Sequence, residues 1–290
     1  MTPPRLALPL AAVITAMASF QVSAAFAKTL FPVLGPQGAV AVRLSLGSLM
    51  LLALTRPWRR WPARSDWPPL IGLGVSVAAA VLFFYLAISR LPLGVSIALQ
   101  FLGPLGVAVL GSRRAHDLVW AGLAAAGVWS LVAPGGVRLA VDLHGVAYAL
   151  IAACGWAGYI LFGRVAGSAL GPSTAALATT LAALLVLPVG AAGAGRLFTT
   201  PSLVPLAFGV ALFSSVIPFS LELFAMPRMP AKTFAVFTSL EPAFGCLSGA
   251  LLLHERLTLG QIAGVAAVIA AAAGAAWSAR GAPTPPPALE

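Results

Sequence analysis

The residues of this 290-residue chain best placed to do chemistry are the few charged and polar ones set inside long apolar runs. Glu241 stands about halfway along the run 231–253, and a charge at mid-bilayer costs on the order of 2.5–3.5 kcal/mol on insertion scales. A carboxyl kept there suits proton uptake and release, or it hydrogen-bonds to a neighbouring helix while Glu-Pro shapes a kink. Pro242 lacks a backbone N–H and so frees the carbonyl of Thr238, four residues earlier. Thr238 and Phe234 lie three and seven residues before Glu241, and a continuous helix puts all three on one face, where the two either line a path or pack. Gln21 and Lys28, seven apart, share another face. Lys28, near a span end, either snorkels to water or meets a substrate carboxylate. Arg43 lies too deep in its run to snorkel, so it pairs with a carboxylate or caps backbone carbonyls. Glu222 is the only other carboxyl expected within a span. Its closeness in sequence to Arg228 and Lys232 makes a local ion pair the plainer reading.

An enzyme site would need clustered metal ligands or a nucleophile beside a base. The chain has seven acidic residues, and His116, His144 and His254 are dispersed at span ends. Cys154 and Cys246 lie inside apolar runs and read as packing residues. These residues call for no metal, no cofactor and no catalytic residue.

The elements that carry these side chains follow from composition. The chain is 60% hydrophobic and 8% charged, with a mean hydropathy of +0.99. Soluble domains run near 45–50% apolar and about 25% charged. Spans of roughly 20 residues fit at 8–30, 37–55, 68–89, 93–111, 118–134, 145–164, 173–193, 203–225, 231–253 and 259–278. The runs are too continuous for an outer-membrane barrel, whose segments alternate. The reading is an all-α polytopic membrane protein with ten transmembrane helices. The first run resembles a signal peptide at Ala25-Phe26-Ala27 but is too long for one. The tail 280–290 is too Pro-rich to pack.

The net charge of +10 sits in the gaps between runs, which argues against nucleic acid and for a positive-inside membrane topology. With the N-terminus cytoplasmic, eleven basic residues fall inside (Arg5, Arg56, Arg59, Arg60, Arg64, Arg113, Arg114, Arg164, Arg228, Lys232 and Arg280). Five fall outside (Lys28, Arg90, Arg138, Arg196 and Arg256). Both termini are therefore expected in the cytoplasm.

A shift of 138 residues lays the second half on the first. Arg90-Leu91-Pro92 falls on Arg228-Met229-Pro230, Leu102-Gly103-Pro104 on Leu240-Glu241-Pro242, Gly111 on Gly249, and His116-Asp117 on His254-Glu255. The kink proline Pro104 thus has its partner in Pro242, whereas the carboxyl of Glu241 has none. The counterparts of Thr238 and Phe234 are Gln100 and Ser96. Five spans per half is an odd number, so the halves are inverted: 1–138 forms one repeat and 139–279 the other. Inverted repeats are the architecture of secondary transporters, with the site at mid-membrane between the halves. A channel would more often show a filter motif in an oligomer.

Several stretches carry a family resemblance: Met17-Ala18-Ser19-Phe20-Gln21, Ala27-Lys28-Thr29-Leu30-Phe31-Pro32, Arg43-Leu44, Phe101-Leu102-Gly103-Pro104-Leu105, Trp156-Ala157, Ser220-Leu221-Glu222, Thr233-Phe234 and Leu240-Glu241-Pro242 with Gly249 and Glu255. Together they resemble the EamA-type drug/metabolite transporter superfamily, and within it the bacterial inner-membrane exporters of threonine and homoserine. The resemblance implies export of small amino acids from the cytoplasm coupled to the proton gradient, by a monomer or homodimer in the lipid bilayer. It also implies a Glu where this chain has Gln100, so proton coupling here must use another group or be altered.

Overall fold

The computed structural model is all-helical among the residues it describes, which are 4–59, 61–110, 117–132, 142–225, 228 and 237–278. The helices are α1 (Pro4–Thr29), α2 (Phe31–Thr55), α3 (Trp67–Ile88), α4 (Leu93–Gln100), α5 (Leu102–Leu110) and α6 (Asp117–Val132). They continue with α7 (Leu143–Leu170), α8 (Ser173–Thr199), α9 (Val204–Ala211), α10 (Ile217–Ala225), α11 (Glu241–Leu252) and α12 (Leu259–Ser278). A π-helical turn, Leu212–Val216, joins α9 to α10.

Six helices among the described residues are long and apolar enough to cross a bilayer: Ala7–Thr29, Phe31–Thr55, Arg64–Ile88, Leu143–Gly163, Ser173–Thr199 and Pro201–Glu222. Leu93–Val107, Val119–Ser130 and Leu259–Gly274 are apolar but shorter. The expected fourth span is two helices, because the chain turns at Phe101. The first part of the expected ninth, including Phe234, lies outside the described residues, as do Lys232, Arg113, Arg114, Arg138 and His116. Beyond Phe237–Thr238 the chain turns at Ser239–Leu240, and α11 begins there. The breaks at Phe101 and at Ser239–Leu240 sit just ahead of Pro104 and Pro242. Each proline thus lies in the first turn of a new helix, where its missing donor costs little, instead of kinking a continuous one.

Large apolar side chains such as Leu49, Ile71, Leu161, Leu184 and Leu251 are exposed, while Arg43, Gln21 and Ser96 are buried. That distribution suits a lipid surround. Between helices in lipid, association depends on close packing and small residues. A Cβ at Gly38 of α2 would lie 2.7 Å from the backbone of Gly193 of α8, and one at Gly155 of α7 would lie 2.5 Å from the Ala80 nitrogen of α3. The packing is extensive between α2 and α8, between α3 and α7, and between α6 and α12. The helix α1 packs on α9, the π turn and α10, and α4 packs on α11. Gly35 (φ 66°) and Gly171 (φ 54°) take left-handed conformations, each just before a proline.

Candidate functional site

Burial of polar side chains in this bundle has a centre. Arg43, near the middle of α2, is 4% exposed. Its Nη1 donates to the Tyr85 hydroxyl of α3 (3.3 Å) and its Nη2 to the Ser214 carbonyl (3.3 Å). Ser214 lies in the π-helical turn, and such turns loosen the regular hydrogen-bond ladder. The guanidinium also stands over the rings of Phe20 (5.1 Å) and Tyr85 (5.3 Å), a favourable cation–π arrangement. Of the two readings for Arg43, it is the capping of a backbone carbonyl that these bonds display. Its Nε is buried and has no hydrogen-bond partner.

Beside Arg43 is a small, largely enclosed cavity. Its lining includes Phe20 and Gln21 of α1, Arg43 of α2, Ala80, Val81 and Phe84 of α3, Gln100 of α4, Phe101, Trp156 of α7 and Glu241 of α11. The space open to the centre of a water molecule is about 20 Å³, room for one or two waters. An organic solute would have to widen it. Gln21 is 1% exposed and its Oε1 has no partner. Gln100 is tethered, its Nε2 donating to the Ala80 carbonyl (3.4 Å). Gln21 Oε1 and Arg43 Nε, both on residues lining this cavity, are thus buried polar atoms without a partner from the chain.

Glu241 begins α11, where the helix dipole favours a negative group. This replaces the expected position halfway along one continuous helix. Between Thr238 and Glu241 the chain turns at Ser239–Leu240, so the helix carrying them is interrupted there. Thr238 is half-buried and is not among the cavity-lining residues, and Phe234 lies outside the described residues. Glu222 of α10 is close enough to Glu241 for the carboxyls to interact electrostatically, and Tyr159 of α7 lies within range of both. Glu222 therefore faces the neighbourhood of the site. Trp156 stacks on Tyr159, with ring centroids 5.1 Å apart.

Lys28 stands apart from this cluster. Its Nζ pairs with Glu255 Oε1 at 2.5 Å, which is neither of the contacts expected for it, water or substrate. Glu255 Oε2 accepts the Leu93 N–H at the start of α4 (2.7 Å). The chain turns back at His254 (φ 55°), and the Glu255 N–H donates to the Gly249 carbonyl (3.0 Å). Nearby, Arg90 Nη1 bonds Asp142 Oδ2 (2.8 Å), and Arg196 Nη1 donates to the Val33 carbonyl (3.0 Å). These links gather Lys28, Arg90, Arg196 and the Glu255 loop at one end of the bundle.

Of the residues singled out in the sequence, the structure brings Gln21, Arg43, Gln100 and Glu241 to one cavity. Sequence reasoning misses Tyr85, the Ser214 carbonyl and the aromatic walls, since an aromatic in an apolar run carries no mark of facing a cavity. The pairing of Lys28 with Glu255 spans the two ends of the sequence and has no local signal.

The chain is similar to several known proteins. Residues 143–277 match the family described as the EamA-like transporter family. The threonine/homoserine exporter RhtA of Escherichia coli (strain K12) is 44% identical over 273 residues, covering 94% of this chain and 92% of that protein. The threonine/homoserine exporter RhtA of Salmonella typhimurium (strain LT2) is 42% identical over equal shares. A crystal structure of a protein 19% identical superposes with a TM-score of 0.60, covering 93% of this chain and 98% of that one, which is a likeness of fold. The relatives are exporters and not enzymes, and the described helices are those of a multi-pass membrane protein: the chain belongs to the EamA-like transporter family.

Proposed function

We propose that this protein is a secondary transporter of the bacterial inner membrane that exports small amino acids of the threonine and homoserine type. The observation that carries the reading is the cavity itself. It holds a guanidinium from α2 and a carboxyl from α11, with buried polar atoms left unpartnered between apolar walls. An α-amino acid presents a carboxylate and an ammonium group. Arg43 can take the first through its free Nε, and Glu241 the second. Lys28, tied to Glu255, is not needed for either.

The ten spans of this reading form two inverted five-helix halves, 1–138 and 139–279. Support comes from the packing, in which α2–α8 and α6–α12 each join a helix to its counterpart across the shift. The contact of α3 with α7 likewise has its mirror in that of α1 with α9–α10. Support also comes from the matched chain breaks at Phe101 and at Ser239–Leu240. Both termini face the cytoplasm, so that the end bearing Lys28 and Glu255 faces outside. Proton coupling runs through Glu241, with Glu222 beside it as the next group in the path.

The test is efflux of radiolabelled amino acids from proteoliposomes, with and without an imposed pH gradient. Threonine or homoserine efflux that rises with the gradient is expected. Absence of efflux for every amino acid, from correctly folded protein, would overturn the substrate assignment. Gradient-independent efflux would overturn only the coupling.

A further inference from the structure

Gln21 has a role that its neighbours leave open. If the charged ends of the substrate go to Arg43 and Glu241, the side chain still has to be recognised. Gln100 has one arm of its amide committed to the Ala80 carbonyl. Gln21 lines the same cavity, is 1% exposed, and its Oε1 has no partner. A fully buried amide acceptor without a donor is unfavourable, and either a water or a ligand group must meet it. The rest of the wall is largely apolar and aromatic, with Phe20, Val81, Phe84, Ile97, Phe101 and Trp156, which contribute shape and apolar surface but few places for a hydroxyl.

We infer that Gln21 is the specificity-determining residue for a side-chain hydroxyl. Its amide oxygen accepts the O–H of a hydroxylated amino acid, and it selects against substrates that put a methyl group in the same place. The inference rests on the reading of the cavity as the amino-acid site. Selectivity arises by subtraction. A hydroxyl replaces the water that satisfies Gln21 at little cost, whereas a methyl displaces that water and leaves the acceptor unpaired. Sites built to hydrogen-bond a hydroxyl reject the isostere lacking it far more strongly than apolar pockets reject an added hydroxyl. An amide also suits a hydroxyl better than a carboxylate would, since it adds no charge beside Glu241.

The experiment uses purified full-length protein and two isosteric pairs, threonine with valine and homoserine with norvaline. Binding or half-saturation of efflux is compared for the parent, Gln21→Met and Arg43→Gln. The parent should prefer each hydroxylated member by about tenfold or more. Gln21→Met should bring each pair within about twofold of parity, mainly by weakening the hydroxylated member. Arg43→Gln should weaken all four ligands together. No preference in the parent overturns the role of Gln21 without recourse to any variant. An unchanged preference in Gln21→Met, with Arg43→Gln weakened throughout, overturns it while the cavity reading stands. If Arg43→Gln binds all four ligands as the parent does, the cavity reading falls and the role of Gln21 with it. Should Gln21→Met fail to fold, Gln21→Asn, which withdraws the amide by one methylene, is expected to lower the preference, and an unchanged preference there overturns the inference.

Discussion

The centre of the bundle and the end that carries Lys28 treat charge in opposite ways. At that end the charges are matched: Glu255 gives one oxygen to Lys28 and the other to the Leu93 N–H. At the centre, Arg43 keeps a buried Nε free and Gln21 an unpaired Oε1, while the carboxyls of Glu222 and Glu241 lie near each other. A group whose partners are all within the chain contributes to the fold. A buried group lacking partners costs stability, and its retention makes sense where a ligand or proton completes it. The contrast also separates two cations that look alike in the sequence. Arg43 and Lys28 both lie inside apolar runs, yet only Arg43 reaches the cavity.

Four measurements test that contrast. The largest effect is expected for Arg43→Met, which strands the Tyr85 hydroxyl and the Ser214 carbonyl and removes the cation over Phe20. Efflux should fall at least a hundredfold, with about 2–4 kcal/mol lost from stability, as expected for hydrogen bonds to a charged group. Arg43→Lys should recover little, because a single ammonium cannot reproduce the fork that reaches both partners. Efflux near the parent level for either variant would mean the centre is structural after all.

Glu241→Gln comes next. The amide is nearly isosteric and keeps hydrogen bonds, so the protein should fold, and pH-driven efflux per folded molecule should drop at least tenfold. If that ratio stays within about twofold, a difference under roughly 0.5 kcal/mol, Glu241 is not the coupling group, and Glu222→Gln becomes the variant to measure.

At the opposite end, Lys28→Met and Glu255→Gln should each cost stability, on the order of 1–3 kcal/mol, by leaving a partly buried charge unmatched. The double variant should cost less than the sum of the two. Thermal denaturation in detergent measures this, and efflux per folded molecule should stay within about threefold of the parent. A large loss of efflux without loss of stability would make this end part of the transport cycle.

The smallest effect belongs to the Arg90–Asp142 pair, which lies on the surface. The hydrogen bond from Arg90 holds the Asp142 carboxyl below the usual carboxylate range, and raises the guanidinium further above its own. The carboxyl's contribution is therefore complete above its unfolded pKa, near 4, and is lost only as pH falls through the lowered folded value. Melting temperature should be insensitive to this pair between neutrality and about pH 5 and should decline below about pH 4. Asp142→Asn should flatten that acid limb, and high salt should do the same by screening.

Much of this is legible in the residues alone. The membrane class follows from composition, since no soluble fold can hide so many apolar side chains with so few charges. Gln21, Arg43, Gln100 and Glu241 stand out because a polar group inside an apolar run is costly wherever the run ends up. The shift of 138 residues points to two kinks at equivalent places, through Pro104 and Pro242, and the structure has chain breaks just ahead of both. The turn at Ser239–Leu240 is not legible, because hydropathy marks an apolar run and not the point where its helix is interrupted.

By itself, then, the sequence determined which segments enter a membrane and which polar side chains must find company there. Hydropathy and the cost of buried charge are properties of short stretches and need no neighbours. Which company each side chain finds was decided by the tertiary structure. Arg43 meets a carbonyl from a π-helical turn 171 residues away, and Lys28 meets a carboxylate 227 residues on. Gln21 meets nothing from the chain at its amide oxygen. Hydrogen bonds and ion pairs act over a few ångströms, so only the packing of helices from the two halves could sort the cation that braces the bundle from the one that faces the cavity.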